Sequence, residues 1–260
     1  ATVPVCPCPT RNANPMTYQF ETDPTSKAIG LIVLQSDETL EQDIRRIFDW
    51  ETLIYVTRVP SALEVSQDTL QQMAETLPAA ASLFPAGAKF SAIGYGCTSG
   101  TAQIGASHVA SLVRQEVDTP FVTEPLSALL AACDHLSIKK LGLLSPYVAS
   151  VSERLVSVLG QAGVSCPVFG SYDEAEETVV AHISAASTYQ AAMHLAAQGG
   201  IDALFLSCTN LRTLDVIAKL EAETGLPVLS SNQVLAWDLG RKAGVTLPAN
   251  DFGQLFKKDR

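Results

Sequence analysis

Short apolar runs alternate with longer segments of helical periodicity along the chain after Lys27. The apolar runs predict buried strands, and the segments between them, with apolar residues at helical spacing, predict amphipathic helices. The predicted strands cover 29–34, 53–59, 90–96, 121–123, 141–146, 164–169, 203–207 and 227–231. The predicted helices cover 37–49, 66–77 with Ser66 as its N-cap, 102–116, 125–135, 149–161, 174–198, 211–223 and 232–242. This alternation is typical of parallel sheets covered by helices, so the pattern predicts an α/β fold.

The later part of the pattern repeats the earlier part at a spacing of 107 to 112 residues. Three landmarks recur in the same order: a glycine inside an apolar run, a cysteine that ends a run, and a proline before a short run. The pairs are Gly30 with Gly142, Cys97 with Cys208, and Pro120 with Pro227. We therefore expect two similar, Rossmann-like parallel-sheet halves, related by a pseudo-two-fold axis, with a cleft between them.

The repeat divides the chain into three parts. Residues 1–26, rich in Pro, Asn and Thr, predict an irregular N-terminal arm. Residues 27–125 are expected to form the first half, completed by the C-terminal helical region 232–260. Residues 126–231 are expected to form the second half.

Both cysteines of the repeat stand between a strand and a helix, in GYGCTSGT around Cys97 and FLSCTNLRT around Cys208. Ligands of open α/β sheets bind beyond the carboxyl ends of the strands, where helix N-termini offer N–H groups. We expect these groups to stabilise each thiolate and to lower its pKa below the ordinary value of about 8.5. The hydroxyl, amide and N–H groups that follow the cysteines are fit to hold a carboxylate, and they belong to Thr98, Ser99, Thr209 and Asn210.

Two cysteines that face each other across a cleft suit two kinds of reaction. One thiolate can remove a proton from one face of a carbon while the other thiol supplies a proton to the opposite face. Alternatively, one sulfur attacks as a nucleophile and the other transfers a proton. The remaining cysteines, Cys6, Cys8, Cys133 and Cys166, and the four histidines show no metal-ligand spacing, so we expect core or surface roles for them and no metal site.

Composition narrows the classes of protein. With 260 residues, 47% of them apolar, and a net charge of −10, the chain has the composition of a globular domain rather than a disordered one. The acidic balance argues against nucleic-acid and anionic-membrane partners, which favour basic patches. No secretory leader or lipid-facing helix is recognisable, and the cysteines have no disulfide-framework spacing, so we expect a cytoplasmic protein.

The duplicated Cys–Thr motif around Cys97 and Cys208, in its strand–helix setting, resembles the aspartate/glutamate racemase superfamily. Within that superfamily, the SCTNLRT stretch, the SSNQ segment at 230–233 and SPY at 145–147 most resemble the ectoine-utilisation A-type proteins. The resemblance covers about residues 27–245 and is greatest to the maleate isomerase/arylmalonate decarboxylase branch, and within it to ectoine-utilisation A-type proteins. It implies an isomerase that needs no cofactor and uses two opposed cysteines, which map onto Cys97 and Cys208. It also implies a small carboxylate substrate, and relatives often form homodimers.

The resemblance leaves more than one reaction open. Racemases of the superfamily use the two cysteines as an acid/base pair, whereas maleate isomerases are thought to add one cysteine covalently to an alkene. Arylmalonate decarboxylases keep only the second-half cysteine, so the presence of both favours the first two reactions here. The isomerases also bind substrate through a tyrosine that corresponds to Tyr147. A non-catalytic small-molecule binding protein on the same scaffold is the alternative from another class.

Two positions depart from the isomerase pattern. An asparagine that holds a substrate carboxylate in the isomerases is replaced by Asp37, in Gln35-Ser36-Asp37, and a second asparagine falls near Glu177. A carboxylate in place of an amide repels a dianion and attracts a cationic nitrogen. We therefore predict a racemase or epimerase whose substrate is an amino-acid-like carboxylate, for example an ectoine-derived one, bound in part by Asp37 and Glu177.

Overall fold

The structure is a computed structural model that describes residues 17–21, 27–247 and 252–257. Of the predicted N-terminal arm, residues 17–21 are described and form neither helix nor strand. Cys6 and Cys8 lie outside the described residues. Within the described residues, no helix is both long and apolar enough to cross a membrane.

Strands and helices alternate through both halves. The earlier elements are β1 (Lys27–Leu34), α1 (Leu40–Ile47), β2 (Ile54–Val59), α2 (Gln67–Ala81), β3 (Lys89–Gly96), α3 (Thr98–Ile104), α4 (Ala106–Arg114), β4 (Val122–Thr123) and α5 (Pro125–Leu136). The later elements are β5 (Lys140–Tyr147), α6 (Ala149–Gln161), β6 (Ser165–Glu174), α7 (Glu177–Val180), α8 (Ala185–Ala197), β7 (Ala203–Leu206), α9 (Ile217–Thr224), β8 (Val228–Ser230), α10 (Ser231–Ala243) and α11 (Gln254–Lys257). The α/β fold class is confirmed.

The strands form two four-stranded parallel sheets with the same internal order. The first sheet runs β2-β1-β3-β4 and the second runs β6-β5-β7-β8. Gly30 and Gly142 occupy equivalent positions on the central strands, where an added Cβ would lie 2.8 Å from Ile93 and 2.7 Å from Ile201. The identical order confirms the two similar halves predicted from the repeat.

Helix α10 packs against the first sheet although it follows the last strand of the second. A Cβ added to Gly94 of β3 would lie 2.8 Å from the Leu239 side chain and 3.4 Å from Leu235, both on α10. That residues 232–260 as a whole complete the first half stays a prediction. The domain boundaries drawn from the sequence stay predictions.

Two predicted helices of the first half differ from the structure. The helix predicted at 37–49 starts only at Leu40, because the Asp37 side chain accepts the N–H groups of Thr39 and Leu40 and holds a turn ahead of it. The helix predicted at 102–116 is two helices, α3 and α4. They meet at Gly105, whose φ of 95° ends the first and starts the second.

Three predicted elements of the second half also differ. The helix predicted at 211–223 begins only at Ile217, and Asn210, just ahead of that range, bonds to the β1–α1 loop of the first half. The strand predicted at 164–169 continues to Glu174, since it keeps pairing with β5 as far as Tyr147. The helices predicted across 174–198 are α7 and α8, and they begin only at Glu177 because β6 continues to Glu174.

Candidate active site

Cys97 lies directly after β3 and caps the N-terminus of α3. Its backbone is extended (φ −151°, ψ 112°), and its Sγ accepts the N–H of Gly100 at 3.2 Å. A Cβ on Gly100 would lie 2.8 Å from this sulfur, so the close approach of N–H to sulfur requires glycine there. The predicted strand-to-helix position of Cys97 is what the structure shows.

Cys208 follows β7 in the equivalent place but with a different backbone. Its φ is 109°, a backbone conformation that residues other than glycine rarely adopt. Its Sγ accepts the N–H of Asn210 at 3.3 Å. The N–H of Cys208 donates to Ser231 Oγ at 3.0 Å. The neighbouring hydrogen bonds therefore hold Cys208 in a strained conformation.

Hydrogen bonds between the flanking residues bring the two cysteines to one interface. Thr209 Oγ1 donates to the carbonyl of Gly96, the residue before Cys97, at 3.2 Å. Thr98 Oγ1 lies 2.8 Å from Ser231 Oγ, the same hydroxyl that receives the Cys208 N–H. Both cysteines belong to one buried cluster, so the structure places the pair between the two halves.

The Cys208 sulfur is surrounded by side chains of the second half. Tyr147 Oη lies 3.0 Å from Cys208 Sγ and donates to Glu177 Oε1 at 2.6 Å. Asn210 Nδ2 donates to the other oxygen of Glu177, Oε2, at 3.2 Å. Four residues proposed from the sequence thus form one connected network.

Asn210 also binds the β1–α1 loop of the first half. Its Oδ1 accepts the N–H of Glu38 at 2.8 Å, and its Nδ2 donates to the carbonyl of Ser36 at 3.2 Å. Its own carbonyl accepts the Thr39 hydroxyl at 3.1 Å. Asn210 therefore joins the loop after β7 to the loop after β1.

A second link between the halves runs beside Glu177. Glu64 and Glu176 form an isolated antiparallel bridge, and Glu177 N–H donates to the carbonyl of Leu63 at 2.9 Å. Val65 N–H donates to the carbonyl of Ala175 at 2.8 Å. The segment that carries Glu177 is thus tied to the loop after β2.

Asp37 has one carboxylate oxygen in use and one without a donor. Its Oδ1 accepts the N–H groups of Thr39 and Leu40 at 2.9 and 2.8 Å, whereas the buried Oδ2 has no hydrogen-bond partner among the described residues. A hydrogen bond from the Thr209 hydroxyl would lower the pKa of Asp37, but in the structure this hydroxyl donates to the Gly96 carbonyl. Burial dominates and raises the pKa of Asp37 from 3.8 to about 6, and the Glu177 carboxylate adds to the rise.

The expectation that both cysteines have lowered pKa values is wrong. Burial, followed by the charge of Glu177, raises the pKa of Cys97 to about 12 despite the Gly100 N–H. The same two causes raise the pKa of Cys208 well above its ordinary value, although Tyr147 and Asn210 can both hydrogen-bond to the thiolate form. The sulfurs belong to residues only 5% and 4% exposed, and loss of water outweighs the helix N–H groups.

The structure describes the other expected residues as follows. Thr98 and Ser99 are buried in the first turn of α3, next to Cys97. Cys133 is buried in the other hydrophobic cluster, and Cys166 packs against that cluster, in line with the core roles expected of them. No group of three or more His, Cys, Asp or Glu side chains within the described ranges is placed to hold a metal ion.

Sequence reasoning missed the role of the polar segment that opens α10. Ser230, Ser231, Asn232 and Gln233 are all fully buried. Ser231 binds the Cys208 N–H, and Asn232 Nδ2 donates to the carbonyl of Thr209 and to Asp43 Oδ2, both at 2.9 Å. Four consecutive polar residues at the end of an apolar strand were the available signal.

A family model described as arylmalonate decarboxylase (Amdase) matches residues 61–256, about three quarters of the chain. This chain belongs to the arylmalonate decarboxylase family. The predicted resemblance to the maleate isomerase/arylmalonate decarboxylase branch is thereby confirmed. The narrower likeness to ectoine-utilisation proteins stays a prediction.

Curated relatives of this Amdase-family chain carry two names. An arylmalonate decarboxylase of Bordetella bronchiseptica is 29% identical over 132 residues, which cover 50% of this chain and 55% of that protein. A maleate isomerase of Nocardia farcinica is 26% identical over 156 residues, covering 58% of this chain and 62% of its own length. A maleate isomerase of Pseudomonas putida is 26% identical over 221 residues, which cover 78% of this chain and 86% of that protein. The first two matches thus span less than two thirds of those relatives.

Solved structures share the fold over nearly their whole length. The maleate isomerase Iso from Pseudomonas putida S16 has a TM-score of 0.77 at 18% identity, with 88% of this chain and 98% of that chain covered. A cysteine-to-serine mutant of Nocardia farcinica maleate cis-trans isomerase, with a covalently bound succinylcysteine intermediate, has a TM-score of 0.75 at 22% identity, covering 90% and 99%. At this identity the likeness establishes the fold.

Proposed function

We propose that this chain is a cofactor-independent isomerase that racemises or epimerises a small amino-bearing carboxylate, with Cys97 and Cys208 as its acid/base pair. The observation that carries the proposal is the placement of two equivalent, buried cysteines at one interface between the halves. Each sulfur stands at the carboxyl end of a parallel strand, the edge at which α/β proteins bind ligands.

The raised pKa values of the cysteines suit the removal of an α-proton. A carbon acid next to a carboxylate is very weak, and a thiolate whose parent pKa is about 12 is a stronger base than an ordinary one. One thiolate takes the α-proton, and the opposed thiol returns a proton to the other face. The hydroxyls of Thr98 and Ser99, with backbone N–H groups beside them, would hold the substrate carboxylate as charge develops on it, whereas the Thr209 hydroxyl already donates to the Gly96 carbonyl.

Asp37 supports an amino-bearing substrate. Its Oδ2 is buried and has no donor in the part of the chain that the structure describes, and an ammonium or amidinium group of the substrate would supply one. A dianion such as maleate would instead place a second carboxylate near Asp37 and Glu177. An ectoine-derived amino acid carries both the carboxylate and the cationic nitrogen, so we include it in the substrate class.

A maleate-type cis–trans isomerase is the second candidate, and its relatives favour it. Three of the curated relatives are named maleate isomerase, and one solved relative holds a succinylcysteine. In that reaction a cysteine adds to the alkene, rotation follows, and the cysteine is eliminated. A cytoplasmic location and a homodimer stay predictions.

Proton NMR in D₂O tests the proposal. The protein is incubated with aspartate, glutamate, hydantoins, ectoine-derived amino acids and maleate, alongside Cys97→Ser and Cys208→Ser. We expect deuterium to appear at the α-carbon of an amino-bearing compound and to be abolished by either substitution. Conversion of maleate to fumarate without such exchange would establish the second candidate. No reaction with any compound would favour a non-catalytic binding protein.

A further inference from the structure

A chain of three buried side chains leads away from the Cys208 sulfur. Tyr147 Oη lies 3.0 Å from Cys208 Sγ and donates its hydrogen to Glu177 Oε1 at 2.6 Å. A phenol has a single hydrogen to donate, so the contact with Cys208 must be a thiol donating to Tyr147. The hydrogen bonds therefore run in one direction, from Cys208 through Tyr147 to Glu177.

We propose that Cys208, Tyr147 and Glu177 form a proton relay in which Glu177 is the base that generates the Cys208 thiolate, so that Cys208 is the base of the resting enzyme and Cys97 its acid. This inference rests on the proposed function, because it supplies the thiolate which that reaction needs. Tyr147 touches the reacting sulfur and is catalytic, whereas Glu177 acts through Tyr147 and is a positioning residue.

The transfer balances in protons and in charge. The S–H bond of Cys208 breaks as an O–H bond forms at Tyr147 Oη, and the former O–H bond of Tyr147 breaks as one forms at Glu177 Oε1. The three residues carry one negative charge before and after, which moves from carboxylate to sulfur. Loss of the thiol proton to water would instead place a second negative charge in a buried site. That charge is unfavourable, because burial and the charges of Glu177 and Asp37 raise the pKa of Cys208.

Glu177 is held for this role at both oxygens. Oε1 accepts from Tyr147, and Oε2 accepts from Asn210 Nδ2 at 3.2 Å. The backbone N–H of Asn210 donates to Cys208 Sγ at 3.3 Å, so one residue positions both ends of the relay. Because both Glu177 oxygens already accept hydrogen bonds from the protein, the open oxygen for a substrate nitrogen is that of Asp37.

Cys97 has a different set of neighbours. Its sulfur accepts the Gly100 N–H and is also within hydrogen-bond reach of the Tyr95 hydroxyl, but that hydroxyl is directed to the Met73 sulfur, 3.8 Å away, where Tyr147 is directed to Glu177. A thioether cannot take up a proton at neutral pH. Within the described residues no carboxylate accepts a hydrogen bond from Tyr95, whereas Glu177 accepts one from Tyr147, so the geometry assigns the resting thiolate to Cys208.

The pH dependence of Cys208 reactivity tests the relay in the full chain without substrate. The small uncharged reagent methyl methanethiosulfonate is added between about pH 6 and about pH 10, and modification of each cysteine is followed by peptide mass spectrometry. In the wild type, a fixed fraction of the cluster holds its charge on sulfur, so we expect a Cys208 rate that is flat from about pH 7.5 to about pH 9.

Glu177→Gln keeps a hydrogen-bond acceptor for Tyr147 but cannot take the proton. Its thiolate must form by loss of a proton to water, so its rate should rise about tenfold per pH unit. It should overtake the wild type at the highest pH, because the Glu177 charge no longer opposes the thiolate. A merely structural role of Glu177 would not change the slope.

Two further variants complete the experiment. Tyr147→Phe should lose the flat region as Glu177→Gln does, and it decides the question if Glu177→Gln fails to fold. Glu176→Gln, at an exposed neighbouring carboxylate, should keep the flat region.

The relay is overturned by a wild-type Cys208 rate that rises about tenfold per pH unit. It is also overturned if Cys208 stays unmodified at neutral pH while reacting in the unfolded chain. Exchange of a substrate α-proton is measured separately, so either proposal can fail alone.

Discussion

The two cysteine sites share a scaffold and differ in what surrounds the sulfur. Each cysteine follows the same strand of its sheet, and each accepts one N–H from the segment that follows it. Cys97 has an extended backbone, whereas Cys208 has a φ of 109° and a tyrosine that leads to Glu177. Duplication of a fold supplies two opposed groups, but an acid and a base need unequal surroundings. The inequality here lies in the side chains and in one backbone angle.

The loops after the central strands differ in the same way. Counted from Gly30 and Gly142, the residue equivalent to Asp37 is Ala149, so the first half carries an acid where the second carries a methyl group. The second half contributes Tyr147, whose carbonyl accepts the hydroxyls of Ser152 and Ser171 at 3.1 and 2.6 Å. On the two proposals above, Asp37 in the first-half loop would meet the substrate charge, and Tyr147 in the second-half loop would take part in thiol activation.

Removal of the tyrosine hydroxyl next to each cysteine should give the largest difference between the two halves. Tyr147→Phe cuts Cys208 from Glu177, and we expect α-proton exchange to fall by about a hundredfold or more. Tyr95→Phe removes a hydrogen bond to Cys97 and a weak contact with Met73 but separates no carboxylate from the sulfur, so it should cost about tenfold or less in the same assay. Exchange is followed by NMR with the amino-bearing compound that exchanges its α-proton in the D₂O experiment. Equal losses in the two variants would contradict a one-sided relay.

The acid in the first-half loop should make stability depend on pH. The pKa of Asp37 is about 6 in the folded chain and 3.8 ordinarily, so between these values the folded state binds more protons than the unfolded state. This stabilisation is present at low pH and is lost as the pH rises through about 6. Relative to wild type, Asp37→Asn should therefore gain about 2 kcal/mol between about pH 4.5 and about pH 7.

Denaturant unfolding of both proteins at the two pH values measures this gain. Substitution of the partly exposed neighbour, Glu38→Gln, provides the matched control, for which the difference from wild type should change much less with pH. An Asp37→Asn difference that is the same at both pH values would show that Asp37 is not held with a raised pKa.

Because the two cysteines differ in backbone conformation, the difference in stability between the glycine and the alanine variant should have opposite signs at the two positions. Glycine tolerates positive φ, so Cys208→Gly should be more stable than Cys208→Ala by about 1 kcal/mol. At Cys97, where φ is −151°, Cys97→Gly should be less stable than Cys97→Ala by about 0.5 to 1 kcal/mol. Thermal melting of the four variants checks this, at about 2 to 4 °C per kcal/mol. The same order at both positions would argue against strain at Cys208.

The sequence predicted the scaffold better than the electrostatics. Apolar runs and the repeat identified the two sheets and placed Cys97 and Cys208 at equivalent strand ends, because these features are local or periodic. The pKa direction could not be predicted, because it depends on how deeply the two halves bury the sulfurs. Ser231 was missed for a related reason. It reaches Cys208 from a helix 23 residues further along the chain.

The two links between the halves have a consequence for the lifetime of the thiol. Glu177 bonds to the carbonyl of Leu63, and Asn210 bonds to the β1–α1 loop, so the contacts that hold the relay together include bonds across the interface. A motion that separated the halves would break those bonds and expose the sulfur. Oxidation by peroxide follows exposed thiolate, and with the halves together Cys208 is only 4% exposed. The links between the halves therefore also limit how readily an oxidant reaches the active thiol.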